Sequence, residues 1–237
     1  MAQENQKRVP FIEYGASQET LPPVESGQVL STQTLSLVAK RFIDILGAVM
    51  GLVALAPLLL IIACILKLTD RGPIFFRQVR VGRGGQRFSC LKFRTMIVNA
   101  DQVLQEHLKN DMAARREWEH SQKLRDDPRI TWLGRFLRRT SLDELPQLVN
   151  IIVGEMSLVG PRPIIPAEMS RYGHRLDYYL SMRPGLTGLW QVSGRNDCSY
   201  NERVELDARY VREWRLFQDF AILIRTIPAV IKQRGSC

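Results

Sequence analysis

The chain has 237 residues, 45% hydrophobic and 24% charged, which supplies one domain with a core and excludes disorder of the whole chain. Lys and Arg number 33 against 24 Asp and Glu, a net charge of +9 that suits anionic partners: nucleic acid, phosphorylated metabolites or acidic lipid. Cys64, Cys90, Cys198 and Cys237 show neither a CxxC spacing nor the density of a secreted disulfide scaffold, so free thiols are expected.

Residues 1–37 are rich in Gln, Ser, Thr, Pro and Glu and lack an apolar h-region, so they read as a disordered polar tail without a cleavable signal peptide. From Phe42 to Leu66 the only charge is Asp44. At about 1.5 Å per residue that helix reaches roughly 37 Å, enough to cross a hydrocarbon core of about 30 Å. Pro57 lies near its middle, where it removes a backbone donor and can kink the helix. Lys40 and Arg41 precede the segment and Lys67 and Arg71 follow it, a pattern that keeps both ends on the cytoplasmic side. Residues 38–71 are therefore assigned to a re-entrant membrane hairpin kinked at Pro57, with a kinked but spanning helix as the alternative.

Charges cancel within 1–41 and within 42–71, so the whole basic excess belongs to residues 72–237. There, two segments rich in β-branched and aromatic residues flank Arg83-Gly84-Gly85, a β-hairpin signal, with Lys92 and Arg94 at its end. Ala100 to Lys123 reads as one charged, solvated helix. Ser141 and Glu144 have capping-box spacing, which predicts a helix from Leu142 burying Leu145, Leu148, Val149 and Ile152. Asp143 and Glu144 then fall in a first helical turn, where they can simply complement the macrodipole. Arg135, Arg138 and Arg139 stand just before them, and Arg162 sits between Pro161 and Pro163. Arginine forks suit phosphate oxygens, and a hard carboxylate beside them suits a magnesium ion that bridges phosphates.

Arg183 to Gly188 is a turn by composition, Arg195 is a candidate phosphate or uridine contact, and His107, His120 and His174 lack ligand-like spacing, so no zinc site is expected. Leu216 to Ile231 is apolar but short for a span, and is expected to pack on the domain or lie at the interface.

The blocks KRFID, RVG, KFRTM, SLDELPQLVN, GEMSLVGPRP and RPGLTGLWQVSGR occur in this order from Lys40. Together they resemble the bacterial sugar transferase family of monotopic phosphoglycosyl transferases acting on polyprenyl phosphates. The SGRND stretch is most similar to members that start exopolysaccharide repeat units with galactose 1-phosphate. Longer members carry further membrane helices and a nucleotide-binding-like domain ahead of this unit, where only the polar tail is expected here. The family's kinking proline often follows a serine, and here it follows Ala56.

The resemblance implies an α+β, mainly helical catalytic domain over 72–237 on the cytoplasmic face of the bacterial inner membrane. It implies UDP-hexose and undecaprenyl phosphate as substrates, membrane lipid as a partner, Mg2+ as cofactor, and no nucleic acid, with a homo-oligomer left open. Asp143 would be the nucleophile and hold the metal, with Glu144 beside it. Lys92, Arg94, Arg138 and Arg162 would surround the diphosphate and nucleotide, with Arg183 and Arg195 as further contacts. A membrane-tethered basic nucleic-acid-binding module and a non-catalytic assembly scaffold are the rival readings. The first lacks recognisable motifs, and the second leaves the acidic pair among arginines unexplained.

Overall fold

The computed structural model describes residues 28–69, 72–121, 124–193 and 199–231; Arg195, Cys198 and Cys237 lie outside them. The first helix, α1, spans Gln28–Thr69. It starts inside the segment expected as a disordered tail over 1–37, because each residue added to an existing helix gains a hydrogen bond at little further entropy cost.

Helix α1 continues through Pro57 without interruption, and both of its halves lie on the same domain. Ala48 and Leu52 pack against Phe88, Cys90, Leu148 and Ile151. In the half after Pro57, Leu59, Ile62 and Leu66 pack against Phe93, Leu133 and Leu137. Val49, Met50, Val53, Leu60 and Ile61 point outward and are exposed. This is the one helix among the described residues long and apolar enough to cross a membrane.

Strands β1 (Phe75–Val81) and β2 (Arg87–Phe93) form the expected antiparallel hairpin, in register from Phe75↔Phe93 to Val81↔Arg87. Gly84 and Gly85 turn the chain with φ of 67° and 79°, left-handed values that favour glycine. The single helix expected over 100–123 is instead two, α2 (Ala100–Asn110) and α3 (Met112–Ser121). Asp111 divides them because its Oδ1 accepts from the backbone N–H groups of Ala113 (2.8 Å) and Ala114 (3.0 Å), starting a new helix.

Helix α4 (Trp132–Thr140) is capped by Thr131, whose hydroxyl accepts from Gly134 N–H at 2.9 Å. A Cβ on Gly134 would stand 2.0 Å from the Thr95 carbonyl oxygen, so only glycine lets α4 approach the end of β2 this closely. A 3-10 turn over Leu142–Glu144 leads to α5 (Gln147–Val153).

The remaining elements are β3 (Ser157–Val159), α6 (Met169–Tyr172), α7 (Leu176–Ser181), β4 (Gly185–Thr187), α8 (Leu189–Ser193), α9 (Tyr200–Arg212) and α10 (Leu216–Ile231). Strand β4 replaces the expected turn over 183–188 and pairs in parallel with β3. The backbones of Gly160 and Gly185 meet there so closely that a Cβ on Gly185 would lie 2.1 Å from Gly160 N. Among the described residues the architecture is thus α+β and mainly helical, with two small two-stranded sheets.

Helix α10 buries Ile222 against Val159 and Tyr210, and leaves Phe217, Phe220, Ile224 and Ile227 exposed at helical spacing. A buried polar knot ties α10 to α1. Lys40 Nζ donates to Asp219 Oδ2 at 2.6 Å and to the Val159 carbonyl at 2.9 Å. Tyr210 donates to the other Asp219 oxygen at 2.7 Å, and Asp44 accepts from Ser157 Oγ (2.8 Å) and Leu158 N–H (2.9 Å).

Candidate active site

The acidic pair lies in the 3-10 turn between α4 and α5, not in the first turn of a capped helix. Ser141 does not act as an N-cap. Its φ is 58°, it closes α4 as a left-handed C-cap residue, and its side chain makes no capping bond to Glu144. A non-glycine residue at positive φ is uncommon outside turns and functional sites. Because α5 starts only at Gln147, its inward positions are Gln147, Leu148, Asn150 and Ile151, while Val149, expected to be buried, is exposed.

This turn carries the Asp143 side chain inward, to 8% exposure. Lys92, at the end of β2, binds Glu144 through a 2.6 Å contact from Nζ to Oε1. Burial opposes the Lys92 ammonium, but Glu144 and Asp143 more than reverse that effect and its pKa is raised. Burial likewise pushes the Glu144 carboxyl up, yet Lys92, with Arg162 and Arg80 behind it, holds it below the ordinary range. Asp143 behaves in the opposite way. Burial and the neighbouring Glu144 charge drive its pKa up to about 6 against the pull of Lys92 and Arg138. Two adjacent carboxyls therefore divide: Glu144 is a fixed anion and Asp143 is poised near neutrality.

Arg138 reaches this site from the last turn of α4, its Nε donating to Thr95 Oγ1 at 2.9 Å. Arg162 is held by its backbone N–H on Asp207 Oδ1 (3.3 Å) and by its guanidinium over the Trp190 ring (5.2 Å). Arg203 lies over the same ring at 5.1 Å, and Arg203 and Arg171 both lie over Tyr200, so arginines and aromatics alternate outward from Arg162.

Of the residues picked from the sequence, Lys92, Arg138 and Arg162 thus gather around Asp143 and Glu144. Arg94 is buried beside Gly72 and Val98. Arg183 is elsewhere: its Nε donates to Gly154 O at 2.7 Å, and Arg41 bonds Ile151 O and Ile152 O, so the two close the C-terminus of α5. Among the described residues no group of three or more His, Cys, Asp and Glu side chains could form a metal cage.

Four supporting residues escaped the sequence reading. Arg80, on β1, is buried, donates to Pro163 O at 2.8 Å and acts electrostatically on Glu144; its Nε has no hydrogen-bond partner among the described residues. It begins the RVG block, which was the available signal. Asp127 and Arg129 form a buried pair (2.6 Å) whose charges reach Arg138, across a proline in the DDPRI stretch. Asp207 is buried and accepts from Tyr172 at 2.9 Å, and burial raises its pKa to about 7. Its signal was an aspartate within the apolar stripe of α9, between Val204 and Val211.

The model of the family described as bacterial sugar transferase matches residues 35–233, including both carboxylates and every element built around them. The chain belongs to the bacterial sugar transferase family. This sugar transferase is 51% identical over 214 residues to an exopolysaccharide production protein ExoY of Sinorhizobium fredii, covering 90% of this chain and 93% of ExoY. It is 52% identical over 197 residues to a UDP-galactose-lipid carrier transferase of Erwinia amylovora, covering 83% of this chain and 41% of that protein. A further relative, an undecaprenyl-phosphate galactose phosphotransferase of Salmonella typhimurium, is 52% identical over 198 residues, again 83% of this chain and 41% of the relative. The sugar transferase thus spans nearly all of ExoY and about two fifths of the two longer relatives. Membership favours an enzyme over the nucleic-acid module and the scaffold.

The divided carboxyls yield a prediction for pH. If Asp143 is the nucleophile, as the resemblance implies, it must be ionised, so at magnesium concentrations too low to load the free enzyme kcat/KM is expected to fall on the acid side with an apparent pKa of about 6 and to level off above it. A rate profile over pH in buffers of constant ionic strength measures this, and an acid limb near pH 4 would remove the role given to burial.

Proposed function

We propose that this sugar transferase moves a hexose 1-phosphate, galactose in our reading and glucose as the alternative, from a UDP-sugar to undecaprenyl phosphate. The observation that carries it is a buried Asp143 carboxyl among Lys92, Arg138 and Glu144, with Arg162 and Arg80 close behind. An Asp143 oxygen attacks the β-phosphorus, the bond to the bridging oxygen breaks, and UMP leaves with the electron pair. The acceptor's phosphate oxygen then attacks the same phosphorus and releases Asp143. A mixed anhydride suits this sequence because it stays reactive towards a second phosphate. Fixed cations placed before the reaction stabilise charge where the bonds change.

Mg2+ fits the donor set, since this ion is typically held by one or two carboxylates together with substrate phosphates. Asp143 would hold it, and it would lower the repulsion between carboxylate and diphosphate. The discriminating experiment is UMP release by the purified chain with undecaprenyl phosphate and a panel of UDP-sugars. Turnover with UDP-galactose is expected, and no release with any UDP-sugar would overturn the assignment.

We also place the enzyme on the cytoplasmic face of the bacterial inner membrane as a monotopic protein, with both ends of α1 on that face although the helix runs on through Pro57 without a break. Support comes from the packing of both halves of α1 on one domain, which a helix leaving that domain to cross the bilayer could not maintain. The exposed stripe of α10 suits the interface. Cysteine labelling at Ser36 and at Asp101 is expected to find both on the cytoplasmic side, and labelling of position 36 from the periplasm alone would mean that α1 spans.

A further inference from the structure

A second concentration of positive charge lies away from Asp143. A cavity of about 580 Å3 opens where the N-terminal half of α1 meets the start of α10, and Lys40, Arg41, Arg83, Arg183, Arg212 and Arg215 line it. None of Lys92, Arg138, Asp143, Glu144 or Arg162 does. Asp44 is the one carboxylate in its lining, and its oxygens are already used by Ser157 and Leu158.

The charges are only partly spent. Lys40 is paired with Asp219, Arg212 contacts Glu213, and Arg41 and Arg183 cap α5, whereas Arg83 and Arg215 carry no ion pair among the described residues. The Arg183 guanidinium is pushed below its ordinary pKa by burial and by Arg41 and Arg83, against a smaller opposing pull from Asp44, as expected where cations outnumber the anion beside them. Apolar residues share the lining, Leu37 from α1 and Leu216 from α10, and exposed apolar residues adjoin them in the sequence. Val38 and Phe42 on α1 and Phe217 on α10 are exposed, Phe217 at 81%. Cations lining a cavity on helices that also expose aromatics and aliphatics match the chemistry of a phospholipid, a phosphate with acyl chains attached.

We propose that this cavity binds the phosphate of an anionic membrane phospholipid, as a seating site separate from the transfer site. The inference rests on the membrane placement of α1 but not on Asp143 as nucleophile. A phosphate bound here is not placed for transfer, because no residue of the acidic turn lines the cavity.

The test uses the full chain purified in a zwitterionic detergent. Short-chain phosphatidylglycerol, short-chain phosphatidylcholine and inorganic phosphate are titrated separately, with Tm and lipid retention in native mass spectrometry as readouts. A ligand that binds only the folded chain raises Tm saturably. Phosphatidylglycerol alone is expected to do so, and the double variant Arg83→Glu/Arg215→Glu should weaken its binding by more than about tenfold. An equal shift with inorganic phosphate would make the cavity a free-anion site and overturn the proposal. So would an equal shift with phosphatidylcholine, or an undiminished response in the variant. If the charge reversal prevents folding, Arg83→Gln/Arg215→Gln carries the same comparison. UMP release on the same wild-type sample is scored separately, so failure of the catalytic reading leaves the lipid titration interpretable.

Discussion

Asp143→Asn is expected to abolish UMP release while leaving the fold intact. Asparagine keeps the shape of the side chain and removes a carboxylate that burial already disfavours, so stability should stay within about 1 kcal/mol of wild type. A helix-terminal charge would forecast the same small stability change with near-normal turnover. Activity therefore separates the two roles. An amide cannot form the phosphosugar adduct at a useful rate, and turnover should fall by several orders of magnitude. Wild-type enzyme given UDP-sugar and magnesium without lipid should release about one UMP per active site and gain a covalent phosphosugar. Mass spectrometry locates it; an adduct on no residue, with Asp143→Asn still turning over, would sink the mechanism.

The second large effect concerns stability. Lys40 and Asp219 are both buried, and their 2.6 Å pair joins α1 to α10. Lys40→Met should destabilise by about 3–5 kcal/mol, because it leaves the Asp219 carboxylate buried without its countercharge. Tyr210 and Trp214 still donate to Asp219 but supply no charge. Denaturant unfolding in mild detergent measures the loss. The double variant Lys40→Met/Asp219→Leu should recover a substantial part of it, since removing both charges also removes the desolvation cost. A loss below about 1 kcal/mol for Lys40→Met would place the pair with exposed salt bridges instead.

The same two features show how sequence spacing can mislead. Ser199 and Glu202 form a true capping box on α9, with Ser199 Oγ accepting from Glu202 N–H at 3.3 Å and the Glu202 carboxylate accepting from Ser199 N–H at 2.7 Å. Ser141 and Glu144 have identical spacing and form none. The difference lies outside both segments: Lys92, on a strand distant in sequence, takes the Glu144 carboxylate that a box would have used. Likewise nothing near Lys40 in the sequence announces Asp219, whose position depends on how α9 and α10 fold back over β3.

The apolar α1, the Arg83-Gly84-Gly85 hairpin and the helical character of the rest were legible in the residues alone, and the ordered motif blocks carried the resemblance to the family. The structural elements follow from composition, periodicity and short-range turn chemistry, which act over a few residues. Which charges meet depends on the folded chain. It grouped Lys92, Arg138 and Arg162 with Asp143 and Glu144 and added Arg80, while it sent Arg183 to the end of α5. It also set the two carboxyls apart, because pKa depends on burial and on charges brought near by folding, and neither quantity is local in the chain.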